Sequence, residues 1–122
     1  EILTEPISGA MTRLQCCPVG EGAAAVVIAS EEGIRRHNLD HSRAIRVVAS
    51  VTRTEGLYDE GVGIDAALTA QTGAAAFNEA GIEPSDIDVL EVHDAFAIEE
   101  LLYAEALGLC APGEAARTAG AA

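Results

Sequence analysis

Ile87-Asp88-Val89-Leu90-Glu91-Val92-His93-Asp94-Ala95-Phe96 is the stretch on which the fold turns. Its first six residues are mainly apolar and read as a short buried strand. From Ala95 to Leu107 the pattern becomes helical, and Gly108 supplies the stop. His93 therefore stands where a strand ends and a helix begins. In open α/β sheets, ligands bind outside the carboxyl ends of the strands. A helix N-terminus there offers free N–H groups and partial positive charge. A neutral imidazole at such a point can donate one ring N–H to a developing oxyanion. His93 is thus read as the candidate catalytic residue, holding a water or an oxyanion, in preference to a structural histidine. Asp94 reads as the N-cap of the helix. Phe96 reads as a core anchor. Glu91 is either a group hydrogen-bonded in the site or a solvated strand-end carboxylate.

Upstream, Arg43 to Thr54 alternates, with Ile45, Val47, Ala49 and Val51 on one face, and predicts a strand. Glu55 to Gly63 is rich in glycine and acids and predicts a loop. Ile64 to Ala80 predicts an alanine-rich helix with Asp65 in its first turn and Gly81 after its end. Gly73 inside that helix costs about 1 kcal/mol against alanine and suits a close-packed neighbour. Pro84-Ser85-Asp86 is a turn. Nearer the start, Gly22 to Ser30 is a small, apolar run that fits a strand covered on both faces, although its alanines leave a helix open. Ser30, Glu31 and Glu32 then mark the start of a short helix through about Arg36. Residues 37–42 are polar and form a loop. The first twenty residues and the tail beyond Gly108 show no periodic pattern. Strand, helix, strand, helix, strand, helix is the order of an α/β fold with a mainly parallel sheet. The loop at 37–42 divides residues 1–36 from residues 43–122.

Composition limits the function. The 122 residues hold twenty acids, seven arginines and no lysine, for a net charge of −13. Nucleic-acid binding needs a basic footprint, and so does adhesion to an anionic membrane. Neither class of partner is expected. No apolar run reaches the ~20 residues of a membrane span. No charged, apolar, then small-residue pattern marks a secretory leader. Cys16, Cys17 and Cys110 are odd in number and lack metal-ligand spacing, which suits a reducing cytoplasm.

Other groups invite sharper readings that the residues around them do not support. Cys16 and Cys17 have no neighbouring base to generate a thiolate, so they read as small buried residues beside a turn. Cys110 reads as structural. His37, Asp40 and His41 fit no zinc spacing and read as a surface loop, so no metal is expected. The acids at 55, 59, 60 and 65 lack the spacing of a calcium loop. Gly20-Glu21-Gly22 is too short to cradle a phosphate.

Four blocks carry a resemblance: Leu14-Gln15-Cys16-Cys17-Pro18, Gly22-Ala23-Ala24-Ala25, Glu91 to Phe96, and Glu105-Ala106-Leu107-Gly108-Leu109-Cys110. Together, in this order, they look like the thiolase superfamily. The nearest branch is the sterol-carrier-protein-x type, whose members are also called nonspecific lipid-transfer proteins or acetyl-CoA acetyltransferases. The resemblance implies a five-layered α/β fold of two similar halves. Residues 1–36 would end the first half and residues 43–122 would begin the second. Most thiolases carry Asn-Glu-x-Phe where this chain has His93-Asp94-Ala95-Phe96. The first residue of that block helps to hold a catalytic water near the thioester oxygen, and His93 inherits the role by position.

The chain also departs from the family. Neither the nucleophilic cysteine of the first half, nor the Gly-His-Pro histidine, nor the second reactive cysteine is present in residues 1–122. Gly20-Glu21 replaces the usual Ser-Asp. The chain therefore reads as an internal piece of a thiolase-type acyltransferase, inactive alone. Its substrate would be a coenzyme A thioester, with no bound cofactor. A homo-oligomer, a dimer in the first instance, is expected. A thiolase-like aldolase with a small accessory subunit is one alternative; a non-catalytic binding module with the thiolase fold is another.

Overall fold

The computed structural model describes residues 4–56 and 64–119. Its regular structure is mostly helical: α1 spans Glu31–Arg36, α2 Ile64–Ala80, α3 Ala97–Ala106 and α4 Ala115–Ala119. Local chemistry sets these bounds. Ser30 Oγ accepts the Gly33 N–H at 3.0 Å and caps α1, which satisfies one of the orphan donors of the first turn. Three helices end on the same device, a residue at positive φ that folds the chain back onto the last turn. Asn38 does this after α1, Gly81 after α2 and Gly108 after α3, with φ of 47°, 70° and 76°. The N–H groups of Leu39, Ile82 and Leu109 then donate to the carbonyls of Ile34, Phe77 and Ala104.

The sheet differs from the sequence expectation. Among the described residues the one ladder is an antiparallel hairpin of β1, Pro6–Ser8, and β2, Met11–Thr12, in the segment expected to be irregular. The segments expected as strands, 22–30, 43–54 and 87–92, join no ladder. They leave Val26, Val27, Ile28, Ile45 and Val89 between 79% and 94% exposed. The physical reason is the missing partner. A strand needs a neighbour to take its edge hydrogen bonds and a layer to cover its apolar side chains, and these three segments do not pair with one another. The whole chain exposes 10402 Å², against about 6,200 Å² for a folded monomer of this mass. Most of the apolar surface that such strands bring to a fold is still uncovered.

The packing that does form is helical. α3 lies against α2 and α4 against α3. Leu107, at the C-terminal end of α3, sits over Gly73 of α2, where a methyl group would overlap Leu107 Cδ2. The close neighbour expected at Gly73 is therefore present. α4, in the tail that shows no periodic pattern, is tied down from α3: Glu105 Oε1 accepts the Ala115 N–H at 3.1 Å. Ala115 is the one buried apolar residue among those described, at 3% exposure. The loop expected at 55–63 lies outside the described residues from position 57 onward. No helix among the described residues is long and apolar enough to cross a membrane.

Candidate functional site around His93

The fold brings two of the sequence blocks side by side. Cys16 forms an isolated antiparallel bridge with Phe96, and the Cys17 N–H donates to the Ala95 carbonyl at 2.8 Å. Local hydrogen bonds hold the turn before this bridge. The Thr12 N–H donates to Gln15 Oε1 at 2.7 Å, and the Cys16 N–H donates to the Arg13 carbonyl at 3.3 Å. Cys16 is half-buried, with its thiol directed at the Thr12 carbonyl. Cys17 is exposed and its thiol donates to the Pro18 carbonyl at 3.3 Å. The expectation that both cysteines are buried is corrected accordingly: Cys16 is half-buried and Cys17 is exposed.

His93 ends the non-helical segment that follows the Pro84–Asp86 turn. It is exposed, and its ring has no hydrogen bond or ion pair among the described residues. The helix after it starts later than expected. α3 begins at Ala97, and its N-cap is Phe96 rather than Asp94. Glu99 explains the shift. Its carboxylate accepts the Phe96 N–H at 3.2 Å while its own N–H donates to the Phe96 carbonyl at 2.8 Å. This is one arm of a capping box built on an apolar N-cap. His93 thus lies four residues ahead of the first helical residue, and the field of the helix terminus fades over about one turn. Asp94 and Glu91 are exposed, with no hydrogen bond among the described residues. Phe96 is 41% exposed, so the core-anchor reading is also corrected.

Sequence reasoning missed Glu99 and Glu105. The first had a usable signal, since a glutamate three residues after a helix start is a capping signature. It was masked by Asp94, a better N-cap residue by type. Glu105 had no local signal, because its partners lie on the far side of the Gly108 turn. Hydrogen bonds from the N–H groups of Gly113 and Ala115 hold its carboxyl below the ordinary value of 4.5. Elsewhere, desolvation raises the Tyr103 hydroxyl above 10.0, helped by the negative charges of Glu99 and Asp65.

His37, Asp40 and His41 do not converge on a metal site. Asp40 instead accepts the Ser42 N–H at 2.9 Å in an Asx turn, which lowers its pKa. Among the described residues no three His, Cys, Asp or Glu side chains are grouped to hold a metal. An open groove of about 320 Å³ runs along α2, bordered by Arg53, Leu68, Thr72, Gly73 and Leu107. It contains no residue of the His93 loop and is lined mainly by helix-packing residues.

Residues 59–122, which include His93, Glu99 and Glu105, match the sequence profile of the family described as thiolase C-terminal domain-like. The chain belongs to the thiolase family. Among its relatives, sterol carrier protein 2 of Gallus gallus is 40% identical over 112 residues, covering 86% of this chain and 20% of that protein. The benzoylsuccinyl-CoA thiolase subunit BbsB of Thauera aromatica is 40% identical over 109 residues, covering 88% of this chain and 28% of the subunit. Acetyl-CoA acetyltransferase of Methanocaldococcus jannaschii is 33% identical over 115 residues, covering 93% of this chain and 29% of that enzyme. The thiolase-family chain thus spans between a fifth and a third of the length of these relatives. An α/β thiolase-like piece is consistent with its helices and with its small share of paired strand.

Proposed function

We propose that residues 1–122 are part of a thiolase-type acyltransferase that acts on acyl-CoA thioesters, by carbon–carbon cleavage or Claisen condensation. The observation that carries the proposal is the exposed His93 at the end of the 87–92 segment, beside the Cys16–Phe96 bridge and inside the family match. The names of the relatives, a thiolase subunit and acetyl-CoA acetyltransferases, agree with this chemistry. In the condensing direction of the reaction proposed, a cysteine thiolate attacks the acyl-CoA thioester carbonyl, a new carbon–sulfur bond forms and the bond to the coenzyme A sulfur breaks, releasing coenzyme A. In the cleaving direction the thiolate attacks the 3-keto carbonyl and the carbon–carbon bond breaks, leaving acetyl-CoA as a carbanion that takes up a proton. The carbonyl oxygen carries negative charge on the way. The role given to His93 is to donate to that oxygen, directly or through a water, and the benefit of such a donor falls mainly in the transition state.

On the same proposal, residues 1–36 close the first thiolase half and residues 43–122 open the second. The layered sheet of the whole fold supplies the strand neighbours that 22–30, 43–54 and 87–92 lack. The nucleophile lies outside residues 1–122, coenzyme A enters as substrate and not as a resident cofactor, and the assembly is a cytoplasmic homo-oligomer, with a small accessory subunit as its possible further partner.

The test is steady-state kinetics of the full-length protein that contains these residues, with acetoacetyl-CoA and coenzyme A. His93→Ala is expected to lower kcat about a hundred- to a thousandfold with little change in KM. His93→Asn is expected to keep much of the rate, because its amide also donates. A raised KM with kcat intact would make His93 a binding or structural residue.

A further inference from the structure

We propose that Glu99 is a positioning residue for His93. It acts together with the Cys16–Cys17 segment as a clamp on the loop that carries the imidazole. The inference rests on the role given to His93 above. The His93 ring has no partner of its own among the described residues, so its position is set through the main chain. That main chain is held at three points just after it. The Ala95 carbonyl accepts from the Cys17 N–H at 2.8 Å, the Phe96 N–H donates to Glu99 Oε2 at 3.2 Å, and the Phe96 carbonyl accepts from the Glu99 N–H at 2.8 Å.

Two of these bonds are made by backbone alone, and any non-proline residue would supply them. The bond from the Phe96 N–H is different, because it depends on a side chain. It is charge-assisted, and it places a carboxylate in the first turn of α3, where the helix dipole favours negative charge. Without it the Phe96 N–H loses its acceptor, and the next residue able to cap is Asp94. A helix restarted from Asp94 would wind Ala95 and Phe96 into its first turn and break their pairing with Cys16 and Cys17. It would also rotate His93 away from its present direction. Glu99 therefore selects the later start, and with it the non-helical backbone from His93 to Phe96.

The experiment is a double-mutant cycle in the full-length protein, reading kcat and KM for thiolysis of acetoacetyl-CoA. Glu99→Ala is expected to lower kcat about ten- to a hundredfold through misplacement of His93, with KM little changed. Glu99→Gln should restore most of the rate, since its amide oxygen accepts the same N–H. Glu99→Asp keeps the charge but loses the reach and should fall between them, which provides a folded variant if alanine is not tolerated. In a His93→Ala background, Glu99→Ala should cost nothing further in kcat, because its effect passes through the missing ring. A loss that persists in full in that background would make Glu99 a general structural residue and overturn the proposal. So would an unchanged kcat in Glu99→Ala when His93→Ala is impaired. If His93→Ala itself leaves kcat intact, the role of His93 fails and the clamp has nothing to position.

Discussion

At position 73 a hydrogen atom in place of a side chain lets α3 close on α2. Leu107 fills the space that a methyl group would need. Two terms compete there. Alanine would favour the helix by about 1 kcal/mol over glycine, while its methyl group would have to displace the flexible tip of Leu107. These roughly cancel, so Gly73→Ala is expected to be near neutral in a urea melt of the full-length protein. Gly73→Leu has no such compensation and should destabilise by about 1–3 kcal/mol as an overpacked contact. Equal midpoints for leucine and glycine would show that the α2–α3 contact is looser than described. The usefulness of Gly73 was legible in sequence as a glycine kept inside an otherwise strong helix. Its partner was not, because nothing local distinguishes Leu107 from Leu101 and Leu102 of α3. His93 was legible for the opposite reason: its residue type and its place between two patterns both pointed the same way. Phe96 and Cys17 were misread as buried because burial is a tertiary property that residue type alone does not decide.

Helix ends were the best-read elements. Ser30, Gly81 and Gly108 act at the positions their chemistry suggests, since capping is decided within a few residues. The start of α3 was displaced by two residues because Glu99 outcompetes Asp94. Strand partners could not be read at all, because pairing is a long-range property of a sheet. α4 was missed for a related reason: it is fastened by Glu105 from another helix. That latch has a pH signature. The Glu105 carboxyl is held below 4.5 in the folded chain by the N–H groups of Gly113 and Ala115. A depressed folded value means that its contribution is complete above the ordinary carboxylate range and is lost as pH falls through the folded value. Amide exchange should therefore show Ala115 protected at neutral pH and losing protection below about pH 4.5. Glu105→Gln should remove that pH dependence. The same loss of protection in the variant would mean that another group controls the docking of α4.

For the molecule as a whole the accessible surface is the governing quantity. An exposure of 10402 Å², against about 6,200 Å² for a compact monomer of equal mass, goes with unpaired, exposed apolar segments at 22–30, 43–54 and 87–92. Such edges and apolar faces favour pairing with further chain. Residues 1–122 prepared alone should associate, melt broadly and show no turnover with acetoacetyl-CoA. A sharply melting monomer in sedimentation would contradict this, as would turnover lost on His93→Ala. The fragment's inactivity follows from the proposal that acyl transfer needs a cysteine outside these residues. Peptide mapping by mass spectrometry, after the full-length protein is incubated with acetyl-CoA, tests that proposal most directly. The account predicts an acetyl group on a cysteine beyond residues 1–122 and none on Cys16, Cys17 or Cys110. An acetyl group on any of those three, or no acetyl-cysteine anywhere in a protein that is catalytically active, as a thiolase-like aldolase would show, would contradict it.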